Sequence, residues 1–229
     1  MRNRLNKKVV VITGAARGLG KALAEQFDDA FLVLCSKEGV GPEKVDVSRK
    51  PEVQKFIRGI LKKFSRIDIL INNAGAIHLG KPIEKISDRE FDLCLKTNLN
   101  SVFYALREVI PAMRKRKSGT IITISSTAGK RGNPLFAAYS TSKFAVNGLM
   151  ESAARQLNGS GVRCLTILPA GMNTPMRKYI LGEKDAQKQQ SPETVAKVIK
   201  KAAEDAKRFP NGSEIEIRDG KISRARLLD

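Results

Sequence analysis

Short apolar runs alternate with helical patterns along the whole chain. Runs at Val9–Thr13, Phe31–Cys35, Ile67–Ile71, Thr120–Ser125, Val162–Leu168 and Glu214–Ile217 predict strands, and a short piece around Val45 adds a seventh. Most are continuous in Val, Ile and Leu rather than alternating, as expected of a parallel sheet covered on both faces. Helices are predicted at Leu19–Phe27, Pro51–Phe64, Asp88–Lys117, Ala137–Leu157 and Pro192–Lys207. Ser87 with Glu90 forms a capping box, and Ser191 places a cap before the first-turn Pro192. There are no internal repeats and no low-complexity linker. Right-handed β-α-β crossovers then give one doubly wound α/β domain, 1–229, with a six- or seven-stranded, mostly parallel sheet. Such a sheet binds ligands at the carboxyl ends of its strands.

The 229 residues suffice for a single core, and 41% apolar with 28% charged residues excludes a disordered or fibrous chain. No apolar run approaches the roughly 20 residues that span a bilayer. Met1–Lys8 is basic and leads directly into Val9–Ile12, a run too short for a secretory signal, so a soluble, cytoplasmic protein is expected with no membrane partner. Cys35, Cys94 and Cys164 are far apart, with neither metal-like spacing nor an even count; buried free thiols are expected and no metal site. Lys and Arg outnumber Asp and Glu by 42 to 23, a net charge of +19. The densest run, Arg114–Lys117, closes a helical stretch where cations complement the helix dipole, and no basic–aromatic stacking face is legible. A solvated surface or an anionic substrate therefore explains the charge better than a nucleic-acid partner.

The first strand runs into Thr13-Gly14-Ala15-Ala16-Arg17-Gly18-Leu19-Gly20, where glycines allow a tight turn and backbone N–H groups can approach a pyrophosphate at a helix N-terminus. Asn72-Asn73-Ala74-Gly75 follows another strand, Asn98 lies in the long helix beyond it, and Ser126 follows the strand after that. Thirteen residues later stands Tyr139, and Lys143 is four further on, one helical turn away on the same face. A phenol of ordinary pKa near 10 is a poor proton shuttle at neutral pH. A neighbouring ammonium, together with a positively charged oxidised nicotinamide, favours the phenolate, so Tyr139 can serve as general acid or general base.

With T-G-x-x-x-G-x-G, N-N-A-G, Asn98, Ser126, Y-x-x-x-K and Pro169-Ala170-Gly171 in this order over nearly its full length, the chain resembles the short-chain dehydrogenase/reductase family. The resemblance implies a Rossmann-type domain and an oxidoreductase interconverting a carbonyl and its alcohol by hydride transfer. It implies that Ser126 hydrogen-bonds the substrate oxygen, that Lys143 orients the cofactor ribose, and that Asn98 links Lys143 to solvent through water. It also places Asp46 and Val47 at the adenine, Asn73, Ala74 and Gly75 along the adenosine ribose, and Pro169, Gly171, Met172 and Thr174 by the nicotinamide.

At the end of the second strand, Cys35 is followed by Ser36 and Lys37, with no carboxylate until Glu38. Ser36, Lys37 and Arg17 supply the donors and positive charge that a 2′-phosphate needs, which points to NADP(H), with NAD(H) as the alternative. A homodimer or homotetramer through Asp88–Lys117 and Ala137–Leu157 is likewise implied by resemblance. Other readings are an NADP-binding regulator without turnover and, ranked lower, a basic nucleic-acid-binding protein.

Three segments depart from the family pattern. Only Ser36–Val45 separates the second and third strands, so the helix usually found between them looks deleted. The lid at 174–191 is short, with Met176, Tyr179, Ile180 and Leu181 as its apolar content. The tail Ser213–Arg218 lacks the V-D-G-G ending of many 3-oxoacyl-carrier-protein reductases and looks more like members acting on small hydroxy acids or assorted carbonyls. His78, the single histidine, is read as structural rather than catalytic.

Overall fold

In a computed structural model, residues 7–39 and 43–228 are described. Their strands form one eight-stranded sheet in the order β3-β2-β1-β4-β5-β6-β7-β8, with β1 Val9–Thr13, β2 Phe31–Ser36, β3 Glu43–Lys44, β4 Ile69–Asn72, β5 Gly119–Ile124, β6 Val162–Pro169, β7 Ser213–Arg218 and β8 Lys221–Leu227. All neighbours pair parallel except β7 and β8.

The continuous apolar runs serve both faces of this sheet. Val9 and Val11 of β1 pack with α2 (Lys50–Phe64), α4 (Ser101–Arg116) and α5 (Ala137–Gln156). Val10 and Ile12 pack on the other side with α1 (Gly18–Gln26) and α8 (Pro192–Glu204). Cys35, Cys94 and Cys164 are free and buried, as expected. The capping box at Ser87 opens α3 (Asp88–Leu95), and Ser191 caps α8 by accepting from the Thr194 N–H.

Three details differ from the sequence expectation. The strand count is eight rather than six or seven. The piece near Val45 is the two-residue β3, and β8 is new. Asp219 and Gly220 take positive φ, 51° and 68°, making the tight connection that turns β7 back as an antiparallel hairpin. The outer strand carries Lys221, Arg224 and Arg226, charges that discourage edge-to-edge pairing. The predicted helix Asp88–Lys117 is instead two helices, α3 and α4, separated by a π-helical turn at Lys96–Asn100. The extra residue of that turn rotates Asn98 inward, where it is buried.

Arg163 on β6 ties the sheet to the end of α8. Its Nη1 donates to the Phe209 carbonyl at 2.7 Å, and its Nη2 donates to the Ala203 carbonyl and, at 3.2 Å, to Thr120 Oγ1. Replacing it with Met should leave these acceptors unsatisfied and cost about 2–3 kcal/mol, read as a lower urea midpoint. An unchanged midpoint would show that water takes over these bonds.

Candidate functional site

The site lies where strand order reverses between β1 and β4, at the carboxyl ends of the strands. A cleft of about 290 Å³ opens there. The turn after β1 forms one wall. Gly14 has φ +66°, and a Cβ on it would stand 2.8 Å from Ala74 Cα, so only glycine allows this closeness. A Cβ on Gly20 would collide with the Gly14 carbonyl oxygen, which packs α1 directly under the turn. Arg17, the N-cap of α1, makes no side-chain cap bond, and the first turn holds no acidic residue. Its leading N–H groups therefore face the cleft with no side chain of their own helix to satisfy them.

Gly14, Arg17, Gly18, Leu19 and Gly20 all line the cleft, whereas Thr13 stands behind it. The Thr13 hydroxyl accepts from the N–H groups of Asn73, at 3.1 Å, and Ala74, at 3.0 Å, and Asn73 Nδ2 donates back to the Thr13 and Gly14 carbonyls. These bonds lock the two glycine-bearing turns together, leaving Asn73, Ala74 and Gly75 as cleft wall.

At the end of the cleft beside β2 and β3 stand Ser36, Lys37, Glu38, Asp46 and Val47. Ser36 is buried, and its hydroxyl accepts from the Gly39 N–H at 3.0 Å. Both cations already have carboxylate partners: Arg17 Nη2 is 3.3 Å from Glu38 Oε1, and Lys37 Nζ is 3.0 Å from Asp46 Oδ2. The other oxygen of Asp46 accepts from Ser48 N, at 3.0 Å, and Ser48 Oγ, at 2.6 Å. Burial tends to raise the Asp46 carboxyl, but these bonds and Lys37 hold it below its ordinary value. No helix lies between β2 and β3 among the described residues, in line with the deletion read from the sequence.

The floor is set by α5. Tyr139 and Lys143 both line the cleft, half-buried and buried respectively, and the Lys143 ammonium sits 5.7 Å from the Tyr139 ring centroid. Lys143 Nζ donates to the Ile124 carbonyl at 2.8 Å. Burial acts on the pair in opposite senses. It raises the Tyr139 phenol above its ordinary value, with a hydrogen bond to the Ser126 hydroxyl opposing, and it lowers the Lys143 ammonium to about 8. The chain's own groups thus do not depress the phenol, because desolvation outweighs the opposing Ser126 hydroxyl; positive charge acting directly on the phenol would be needed at the site.

Ser126 N-caps the short turn Thr127–Gly129, its hydroxyl accepting from the Ala128 N–H at 3.1 Å. Asn98 lies beneath the cleft: Oδ1 accepts from the Ala76 N–H at 2.7 Å, while Nδ2 donates to the Ala76 carbonyl and to Ser142 Oγ, both at 2.8 Å. It clamps the loop after β4 to the helix that carries Tyr139 and Lys143.

Met172 and Thr174 line the remaining wall, and the buried Pro169 ends β6 behind them. Gly171 is turned away, packed so closely on Gln189 and Arg177 that a Cβ would collide with both. His78 is buried outside the cleft lining, with Nδ1 2.7 Å from the Leu79 carbonyl oxygen and its ring against Phe136. Leu93 and Thr97, not read as site residues from the sequence, line the cleft too. The sequence held no signal that singled them out, because Leu93 stands among Phe91, Cys94 and Leu95 on the same short helix.

A sequence model described as short chain dehydrogenase matches residues 34–185. The chain belongs to the short-chain dehydrogenase family. A 3-oxoacyl-(acyl-carrier-protein) reductase FabG of Thermotoga maritima is 31% identical over 245 residues, covering 96% of this chain and 99% of that protein. A 3beta-hydroxysteroid dehydrogenase of Mediterraneibacter gnavus is 34% identical, covering 76% of this chain and 69% of that protein. Among solved structures, ElxO with NADP bound superposes with a TM-score of 0.85 at 27% identity over 93% of this chain and 98% of that one. The 3-ketoacyl-(acyl-carrier-protein) reductase of Brucella melitensis complexed with NADH gives 0.86 at 24% identity, over 94% and 98%, a likeness of fold. This short-chain dehydrogenase is therefore an oxidoreductase by family, its cleft in the place the doubly wound sheet reserves for ligands.

Proposed function

We propose that the chain is an NADP(H)-dependent oxidoreductase that interconverts a ketone or aldehyde, a 3-oxoacyl or 3-oxo acid compound among them, with its alcohol. The observation that carries this reading is one continuous cleft with Tyr139 and Lys143 at one place and the glycine turn at another, the Ser126 hydroxyl lying close enough to the phenol to act on it. The glycine cradle and the uncapped first turn of α1 suit a pyrophosphate. When bound, the dinucleotide supplies the hydride and, in its oxidised form, a positively charged ring.

In carbonyl reduction Tyr139 gives its proton to the substrate oxygen as hydride arrives at carbon, and in alcohol oxidation it takes the proton back. Its elevated pKa keeps that proton in place at neutral pH, which suits the acid role. Ser126 hydrogen-bonds the same oxygen and orients it. Lys143 holds the ribose and places positive charge beside the phenol, and Asn98 fixes the loop and helix that present these groups. A nucleotide-binding regulator would need the glycine turn but not this trio, so it ranks second.

One domain holds both halves of the chemistry, and residues 174–191 form a short lid of two helices, α6 (Pro175–Leu181) and α7 (Glu183–Gln187). Arg177 Nε, 2.5 Å from Asp185 Oδ1, ties them together. A homodimer or homotetramer would pair α4 and α5, whose outer surfaces expose Phe103 and Phe144. Among the described residues no helix is long and apolar enough to cross a membrane.

The test is NADPH oxidation by the purified protein against 3-oxoacyl thioesters, 3-oxo acids, aldehydes, diketones and cyclic ketones. Turnover of at least one class is expected; NADPH binding with no turnover across the panel would favour the regulator. For the choice of dinucleotide, Arg17→Ala with Lys37→Ala should weaken NADPH by about 10–100-fold and NADH by less than about threefold, by fluorescence titration. Equal losses would sink the NADP assignment.

A further inference from the structure

The turn that presents Ser126 is anchored on two sides. After β5 the chain runs through Ser126 into the turn Thr127–Gly129. On one side Gly129 is seated on α5: Asn147 Nδ2 donates to its carbonyl at 2.9 Å, and a Cβ on it would stand 2.8 Å from the Lys143 carbonyl oxygen. On the other side the next residue, Lys130, reaches across to the sheet, its Nζ 2.6 Å from Glu214 Oε2 on β7.

Ile215 and Ile217 of β7 fill the core on one face of the sheet, and the Glu214 side chain, 4% exposed, lies on the other. A carboxylate so far out of water is tolerated only when its charge is matched. Arg226, directly opposite on β8, donates from Nε to Glu214 Oε1 at 2.7 Å and from Nη2 to Oε2 at 3.4 Å. The outer strand therefore does more than cover the sheet edge: its Arg226 holds the carboxylate on which Lys130 rests. None of the three residues lines the cleft. Apolar side chains of similar volume often hold neighbouring elements as firmly as a buried ion pair does. What the charged triad adds is a fixed place for the Lys130 ammonium, and through it for the turn.

We propose that Glu214 is a positioning residue that acts through Lys130 on the turn presenting Ser126, with Arg226 of the last strand as its clamp. This rests on the reading of Ser126 as the group that hydrogen-bonds the substrate oxygen. A hydroxyl aimed at a transition state contributes only while its geometry is kept, and a displacement of about 1 Å forfeits much of that contribution. Releasing Lys130 leaves the Gly129 anchor on α5 intact. Lys143 and the glycine turn then keep their places while Ser126 gains freedom. The signature is a lower kcat at unchanged NADPH affinity, and it depends on the Ser126 hydroxyl being present.

The experiment is a double-mutant cycle on Lys130 and Ser126, read as kcat, carbonyl KM and NADPH affinity with the ketone or aldehyde that wild type reduces fastest. Ser126→Ala should lower kcat by about 10²–10³-fold, as for one lost oxyanion donor. Lys130→Ala should lower it by about 5–20-fold, with carbonyl KM and NADPH affinity within about twofold. Lys130→Arg, which returns a cation to Glu214, should recover most of that loss. In the Ser126→Ala background, Lys130→Ala should change kcat by less than about twofold. Glu214→Gln should repeat the Lys130→Ala pattern; if it fails to fold, the surface substitution at Lys130 carries the test alone. An unchanged kcat in Lys130→Ala, or a loss equally large with and without the Ser126 hydroxyl, overturns the proposal. An impaired Ser126→Ala then leaves the reading of Ser126 standing. Weakened NADPH binding in Lys130→Ala also overturns the proposal, by showing a general distortion of the cleft. Undiminished turnover by Ser126→Ala defeats the reading of Ser126 and the proposal with it. A wild type that reduces no ketone or aldehyde defeats the oxidoreductase reading as well.

Discussion

Replacing Tyr139 with Phe is expected to lower carbonyl turnover by roughly 10²–10⁴-fold, the usual contribution of a positioned general acid. The substitution removes one oxygen and keeps the ring, so the half-buried packing of Tyr139 in the cleft floor and its contact with the Lys143 ammonium both survive. What is lost is the hydroxyl that would donate the proton. NADPH affinity should stay within about twofold, because the ring and Lys143 remain in place. Steady-state kinetics beside a fluorescence titration of NADPH separate the two effects. Turnover within tenfold of wild type would move the proton transfer to another group. A parallel loss of NADPH binding would make Tyr139 a binding residue instead.

That Tyr139 and Lys143 belong together was legible because a helix places residues four apart on one face, and the stretch from Ala137 reads as a helix. The same simplicity made β1 and β5 readable, since their unbroken apolar runs are the imprint of burial on two faces. β3 left no such imprint: Glu43 and Lys44 are exposed and pair only along one edge of β2. β8 is mostly exposed and basic, although Asp219-Gly220 between two extended runs was a hairpin signal open to reading. The π turn at Lys96–Asn100 was hidden because Leu95, Leu99 and Val102 keep a helical apolar spacing through it. Its inserted residue matters to the site, since it aims Asn98 at Ala76 and Ser142. The pairing of Arg17 with Glu38 and of Lys37 with Asp46 was not legible either. Each joins segments that only the sheet brings side by side, and composition registers the cations without their partners.

The second large effect concerns Lys143, where function and stability pull in opposite directions. Lys143→Met should cut turnover by a factor on the order of 10²–10³, the equivalent of the two to three pK units by which a nearby positive charge can favour a phenolate. The same substitution removes a buried ammonium whose pKa burial has lowered from 10.5 to about 8. Below about pH 8 both folded and unfolded chains hold that proton, and the fold carries the full cost of desolvating it. Between about 8 and 10.5 the folded chain has released the proton while the unfolded chain still binds it, so this group makes stability rise with pH. The whole rise is about 3 kcal/mol, of which about 1 kcal/mol falls between pH 7 and pH 9. The thiols act against it. Burial pushes Cys35 and Cys164 up to about 12 and Cys94 to about 11 from 9.0, so their contribution is lost as pH rises above 9.0. The raw stability curve therefore mixes both signs, but wild type and Lys143→Met share the thiols, and their difference isolates the lysine. Urea unfolding of both at pH 7 and pH 9 should show wild type gaining about 1 kcal/mol on the variant. Parallel behaviour would mean that the ammonium keeps its ordinary pKa in the fold, and that its charge is held at the cleft floor at no cost to stability.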